Sequence, residues 1–303
     1  MTGVAIHLLL LLVFPPFLFG VINRTKAVFA GRKGAPLFQL YYDIAKLFRK
    51  GMVISVTTTG IFRAAPVIAL AAVLAAGMLV PLGNSPAFAS FTGDFILFTY
   101  LFALARFCTT SAALDTGSAF EGMGVSREIT FALFGEPSLF FAFLVLSRFS
   151  LSLSLSGMFH SGIAPDYPAG SLAPIVMTAI GLFVFFLAEN SRIPVDDPNT
   201  HLELTMIHEV MVLDHSGPLL GLIEYASAVK LFVLGSLLVN VCIPHYTGKP
   251  LLDWPLFAGG MLLLAVVTGV VESVLARLRM NRVPSLLIAS ILLCGSAFVM
   301  ILR

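Results

Sequence analysis

The feature that most limits how this chain can fold is a succession of apolar stretches, each about as long as a bilayer is thick. A helix crossing the hydrocarbon core needs roughly 17–25 mostly apolar residues. Eight segments meet that measure: Val4–Ile22, Ala64–Leu82, Phe95–Ala113, Ile129–Leu151, Leu172–Ala188, Ile223–Ile243, Leu256–Ala276 and Pro284–Leu302. Only helices suit them, because an open sheet in lipid would leave backbone N–H and C=O groups unpaired. Composition agrees: of 303 residues 58% are hydrophobic and 11% charged, whereas soluble domains carry about 25% charged residues. A surface with so little charge has lipid for its solvent. The net charge of +2 gives no electrostatic footprint for nucleic acid. No basic segment precedes the first apolar run and no small-residue cleavage site follows it, so it reads as a retained span. The expected architecture is therefore all-α and integral to the membrane. One polytopic domain covers residues 1–303, with eight transmembrane helices and two amphipathic helices in loops.

Charge is unevenly shared between the two faces. With an even number of spans the termini lie together and the connections alternate. The first, third, fifth and seventh loops contain Arg24, Lys26, Arg32, Lys33, Lys46, Arg49, Lys50, Arg63, Arg127, Arg192, Arg277, Arg279 and Arg282, whereas the opposite face has only Lys249 and Arg303. The positive-inside rule makes the basic loops cytoplasmic, with both termini outside the cytoplasmic (inner) membrane. Of the acidic residues only Asp94, Asp166 and Asp253 fall on the outer face. The inner face is thus rich in both signs, as a polar docking surface would be.

Two inner loops have helical character. In the first, Pro36 is suited to a helix start. From Leu37 to Lys50, polar Gln39, Asp43, Lys46 and Lys50 recur opposite Leu37, Tyr41, Ile44 and Phe48, the pattern of a helix lying in the leaflet surface. In the long fifth loop, Thr200 and Glu203 have capping-box spacing, which predicts a short helix ending before Gly217-Pro218. His201, His208 and His215 stand seven residues apart. That step is roughly 10 Å along a helix axis, too far for one metal ion. Cys108, Cys242 and Cys294 each lie alone in an apolar stretch, so no disulfide framework, iron–sulfur cluster or Cys-ligated metal is expected in this chain.

Ionisable residues inside spans are costly and mark function by default. Arg106, Glu136, Arg148, Glu189, Glu224, Lys230 and Glu272 fall within or at the ends of spans. Arg148 and Glu272 lie near enough to an interface to snorkel, whereas Arg106, Glu136 and Lys230 do not. Buried carboxyls linked by water could pass protons, and a static ion-pair network holding helices in register would use the same residues.

The run Ala188-Glu189-Asn190-Ser191-Arg192-Ile193-Pro194-Val195-Asp196 resembles the fifth-loop motif of the complex I subunit 1 family. The likeness is greatest to the formate hydrogenlyase subunit 4 and hydrogenase-4 component C branch of the group 4 membrane-bound hydrogenases. Similar segments are Leu101–Phe107, Leu114–Ser118, Gly124–Glu128, Ala276–Arg279, the set Gln39, Asp43, Lys46 and Leu47, and Glu224-Tyr225. Two positions depart from the family pattern: Ala35 separates Gly34 from Pro36, and Asn281 stands where the family tends to place an acid.

This resemblance implies a coupling subunit that carries no cofactor and performs no bond chemistry. The nickel–iron centre and iron–sulfur clusters (or quinone) would belong to the complex. Its partners would be a hydrogenase-like large subunit, an iron–sulfur small subunit and antiporter-like membrane subunits, within the lipid bilayer. Glu136, Glu189 and Glu224, with Arg106 and Lys230, would form the ion path. Arg32, Gln39, Asp43, Lys46, Arg192, Asp196, Asp197, Glu203, Glu209 and Asp214 would form the coupling loop and dock the redox arm, with a role as helix cap alone as the alternative for Glu203. The alternative within the family is a quinone-chamber subunit of a quinone-reducing complex. A stand-alone transporter would need paired broken spans in two repeat halves, and no such repeat is visible.

Overall fold

The computed structural model describes residues 2–83, 85–160, 172–196, 206–243 and 250–302. Within them are ten α-helices: α1 (Thr2–Phe29), α2 (Gln39–Arg49), α3 (Gly60–Leu79), α4 (Asp94–Asp115), α5 (Ala119–Ser150), α6 (Leu155–His160), α7 (Leu172–Glu189), α8 (Gly217–Cys242), α9 (Pro250–Val274) and α10 (Val283–Leu302). Eight of these are long and apolar enough to cross a membrane, and all eight predicted spans lie on them. The largest shifts are at α1, which runs beyond Ile22 to Phe29, and α5, which begins at Ala119 rather than Ile129. Asn23, Arg24, Lys26, Glu121, Arg127 and Glu128 stop an apolar count, but they continue the helices because several of them face protein partners.

Helix α8 is the central column: 72% of its apolar window is buried, against 22–44% for the other spans. It packs on α1, α2, α3, α7 and α9, while α5, α7 and α10 form a second group and α3 pairs with α4. Phe98, Phe143, Phe186, Phe232 and Phe257 are fully buried among these helices. In lipid such contacts hold helices by close packing rather than by escape from water.

Consecutive prolines break the ladder of α1. Pro15 and Pro16 have no N–H, so the carbonyls of Leu11 and Leu12 lose their helical donors. The Tyr225 hydroxyl donates to Leu12 O at 2.7 Å, and the Tyr41 hydroxyl donates to Val13 O. Two neighbouring helices, α8 and α2, thereby supply donors at the break. The connection from α1 to α2 returns tightly over α1: a Cβ at Gly20 would collide with the Leu37 carbonyl. Gly34 has φ +66°, and its Cβ would lie 2.5 Å from that of Ala27.

Helix α2 differs in orientation from its sequence reading. Gln39 and Asp43, expected on the polar outer face, are half-buried, whereas Lys46 and Lys50 are exposed together with Tyr42 and Phe48. Packing decides this: Leu47 sits over Gly221, whose missing side chain lets α2 approach α8. Asp43 tolerates the position because Gln39 Nε2 donates to its Oδ1 at 2.9 Å.

The expected fifth-loop helix does not run through residues 206–216. Thr200, His201 and Glu203 lie outside the described residues, and the segment from Met206 to Ser216 contains only the 3₁₀ turn Glu209–Val212. The Asp196 carboxylate accepts the N–H groups of Ile207 (3.2 Å) and His208 (3.3 Å), the role that sequence spacing gave to Thr200. The odd-numbered loops interlock on their shared basic face. Ser216 bonds Val53, Arg127 Nη1 donates to Met206 O at 3.0 Å, and Leu278 N–H donates to Pro194 O at 2.9 Å.

Candidate functional site: a buried charge network

Arg106 lies on the half of α4 nearer the basic face, and helical spacing aims it between α5 and α7. Its guanidinium holds three carboxylates at once. Nε reaches Glu128 Oε1 at 3.3 Å, Nη1 pairs with Glu136 Oε1, and Nη2 reaches Glu189 Oε2 at 2.5 Å. Glu128 and Glu136 share one face of α5, being two turns and a little more apart. Glu189 ends α7, and its other oxygen lies 3.3 Å from Lys230 Nζ on α8. Four helices are tied by one group of charges. Its three carboxylates face two cations, so the group carries one more acid than its bases can neutralise.

Beyond Lys230 the network opens into a polar cavity of about 80 Å³. Glu189, Arg192, His208, Glu209, Glu224 and Lys230 are among its lining residues. A space of this size and polarity accommodates water. Glu224 lies within electrostatic reach of Glu209, Asp43 and Arg192. It lines the cavity together with Glu189 and Lys230 without pairing with the Arg106 cluster. Burial holds the His208 imidazole below its ordinary pKa, and the Lys230 charge adds to this.

A second network borders the cavity. Arg192 is 2% exposed, with Nη1 3.3 Å from Glu272 Oε1 and its guanidinium carbon 4.3 Å from the centre of the Phe19 ring. Glu272 Oε2 is 2.7 Å from Lys26 Nζ. A third pair joins Asp196, 2% exposed, to Arg277 at 2.8 Å.

The five residues expected on the ion path therefore divide. Arg106, Glu136, Glu189 and Lys230 are in direct contact, and Glu224 lines the cavity with Glu189 and Lys230. Of the coupling-loop residues, Arg32, Lys46 and Asp214 are exposed on the basic face. Arg192 and Asp196, expected at a docking surface, are buried inside, and Glu209 lines the cavity. Asp197 and Glu203 lie outside the described residues. Glu272, near enough to an interface to snorkel by sequence, instead has its side chain fully enclosed between two cations.

Glu128 is not apparent from sequence as a site residue, because the apolar run of the fourth span starts one residue after it. The signal is present: Glu128 and Glu136 lie on the same helical face once the helix is extended back. Glu121 is not apparent either. It is buried, accepts from the Thr116 hydroxyl, and accepts the Asp214 N–H at 3.3 Å. Among the described residues no group of three His, Cys, Asp or Glu could hold a metal ion.

Comparison with known proteins adds four findings. The family described as NADH dehydrogenase matches residues 2–303. The chain is 30% identical to hydrogenase-4 component C of Escherichia coli (strain K12) over 88% of its length and 85% of that protein's. It is 27% identical to formate hydrogenlyase subunit 4 of the same organism, covering 98% and 97% respectively. Its fold matches a chain of the membrane-bound sulfane sulfur reductase, an archaeal respiratory membrane complex, with a TM-score of 0.83 at 18% identity, over 99% of this chain and 100% of that one.

Proposed function

The chain belongs to the NADH dehydrogenase family, that of complex I subunit 1, and on that footing we propose that it is the membrane coupling subunit of a complex I-like redox complex of the hydrogenase-4 or formate hydrogenlyase type. In this reading the chain sits in the cytoplasmic membrane with its basic face toward the cytoplasm. It anchors a soluble arm made of a hydrogenase-like large subunit and an iron–sulfur small subunit, and it borders antiporter-like membrane subunits. The nickel–iron and iron–sulfur centres belong to those partners. This chain contributes the charges through which redox-driven movement of the loops reaches an ion path.

The observation that carries this reading is Arg106 holding Glu128, Glu136 and Glu189 beside Lys230, with Glu224 lining the adjoining water-sized cavity. An excess carboxylate next to a polar cavity can receive a proton from one side and release it to the other. The exposed Arg32, Lys46 and Asp214 offer contacts to the arm. Asp43, Arg192, Asp196 and Glu209, lying deeper, transmit movement of the loops to the network.

The test is Glu136→Gln in the intact complex. Electron transfer and assembly should persist, while ion translocation or growth on the coupled reaction falls. Unchanged coupling would remove Glu136 from the path. Asp196→Ala with Asp197→Ala should uncouple or detach the soluble arm, and normal assembly with normal turnover would refute a coupling role for that loop.

A further inference from the structure

The segment between α2 and α3 is unlike the rest of the basic face. From Gly51 to Phe62 there is no charged residue, on the face that holds most of the protein's charge. The run Val53-Ile54-Ser55-Val56-Thr57-Thr58-Thr59 is mostly β-branched, a composition that favours strands, yet no strand partner is present among the described residues. A single atom, Ser216 Oγ, accepts the Val53 N–H at 3.1 Å and donates to the Val53 carbonyl at 2.9 Å. Both polar groups of Val53 therefore point the same way, as they do in an extended residue.

In extended backbone the neighbours' N–H and C=O groups point to the opposite side. Those are the groups of Met52 and Ile54, and among the described residues they have no hydrogen-bond partner. Ile54 tucks its side chain against the cluster of Phe62, Ala65 and Leu219. Val53 is 78% exposed and Val56 102% exposed. A turn closes the segment, with Thr58 N–H and hydroxyl both donating to Ser55 O.

Its location determines what these groups face. Thr57 Oγ1 donates to Thr116 O at 3.3 Å, Thr59 N–H donates to Asp115 Oδ2 at 2.6 Å, and Gly51 O lies against Gly217. The segment thus rests on the basic-face ends of α3, α4 and α8. Its outward side, with Val53 and Val56, is not covered by the described residues. Natural exposed edges are normally protected by charge, proline or a bulge, and this one has none of them. Arg49, Lys50 and Arg63, all exposed, flank it and favour a partner acidic at its ends.

We infer that Gly51–Ser55 is an open backbone edge to which an extended segment of a water-soluble partner subunit adds as a strand. Met52 and Ile54 would supply the hydrogen bonds and Val53 and Val56 the apolar contacts, the recognition mode of strand addition. The inference rests on the proposed membership in a complex with a soluble arm.

The test uses the assembled complex and the purified chain in lipid nanodiscs, with hydrogen–deuterium exchange of peptides covering residues 49–58. Assembly should slow exchange at Met52 and Ile54 by about tenfold or more, as two or more new backbone bonds would. Met52→Pro, which removes one N–H, should lower retention of the soluble arm on salt-washed membranes several-fold, whereas Met52→Ala should retain it. Equal exchange in the complex and in the chain alone would overturn the inference while leaving coupling-subunit membership intact. Protection already present in nanodiscs without partners would overturn it in favour of lipid contact. Absence of any soluble subunit from the purified complex would overturn both.

Discussion

Arg106→Gln is the most exacting perturbation of the charge network. The substitution removes the one group in contact with Glu128, Glu136 and Glu189 and leaves Lys230 as the remaining cation, bound only to Glu189. Removing one partner of a buried pair costs about 3–5 kcal/mol, most of it from the charge left behind. The Glu136 side chain is 36% exposed, so water partly compensates it, and its share is nearer that of a surface pair. Glu128 and Glu189 are better enclosed and set the larger part. A loss of about 3 kcal/mol follows for the isolated subunit. Arg106→Lys keeps the charge but not the fork that reaches three oxygens, and about 1–2 kcal/mol is expected. The assay is reversible unfolding of the purified chain in mild detergent by titration with a denaturing detergent. The decisive comparison is a cycle with Glu189→Gln: neutralising the stranded acid should return about 1–2 kcal/mol to the Arg106→Gln protein. A loss below about 1 kcal/mol, or no recovery in the double variant, would refute the view that these charges are mutually dependent.

Further predictions concern the other buried groups. Tyr225→Phe should cost about 1 kcal/mol by leaving a carbonyl unpaired, and the cost should shrink in a Pro16→Ala background, where a backbone N–H returns to Leu12; an equal loss in both backgrounds would refute the pairing. Glu272→Gln should destabilise by about 3–5 kcal/mol, because Lys26 and Arg192 both lose their acid, and thermal unfolding would show whether it does. Lower pH should loosen the segment from Met206 to Ser216. Burial holds both His208 and His215 below the ordinary histidine value, so the unfolded chain binds more protons once pH falls below about 6.5. Stability is then full above that value and declines as pH drops toward the folded-state values. The groups facing His208 are Lys230, Glu128, Asp196 and Glu189, and Asp214 is the charge near His215. Replacing both histidines with Gln should flatten the decline between pH 7.5 and 5.5 (about one unit either side of the free value), and an unchanged slope would refute the assignment.

The spans were legible because apolar length is a one-dimensional property, and every predicted span falls on a helix. Helix ends were less so: Glu128 and Lys26 terminate an apolar count but continue a helix when their charges are met by Arg106 and Glu272. Arg106, Glu136, Glu189 and Lys230 could be picked out singly, since each is costly in lipid. Their joining depended on which helices pack, and residue spacing does not carry that. Asp196 was the hardest to read. On a loop full of polar residues an acid suggests a surface, whereas here it caps the N–H groups of Ile207 and His208 and binds Arg277. The resemblance placed the motif but gave no indication that its charges point inward.

That inward arrangement bears on how a movement of the fifth loop could be transmitted. Between Glu189 and Asp196 the chain contributes three charged side chains, and each is tied to a different part of the bundle. Glu189 binds α4 and α8, Arg192 binds α9 and lies over Phe19 of α1, and Asp196 binds Arg277 beyond the end of α9. A shift of this segment by even a fraction of a turn must lengthen at least one of these contacts, and a buried charge without its partner costs several kcal/mol. Small displacements are therefore opposed, and a displacement large enough to exchange partners is the alternative. Glu224 and Glu209 line the cavity beside Arg192 and offer it a second acid to meet. Arg192→Lys tests this step. The shorter donor set should keep the Glu272 contact while weakening the alternative, so coupled ion movement should fall more than electron transfer does. Equal loss of both would mean that Arg192 only holds the fold.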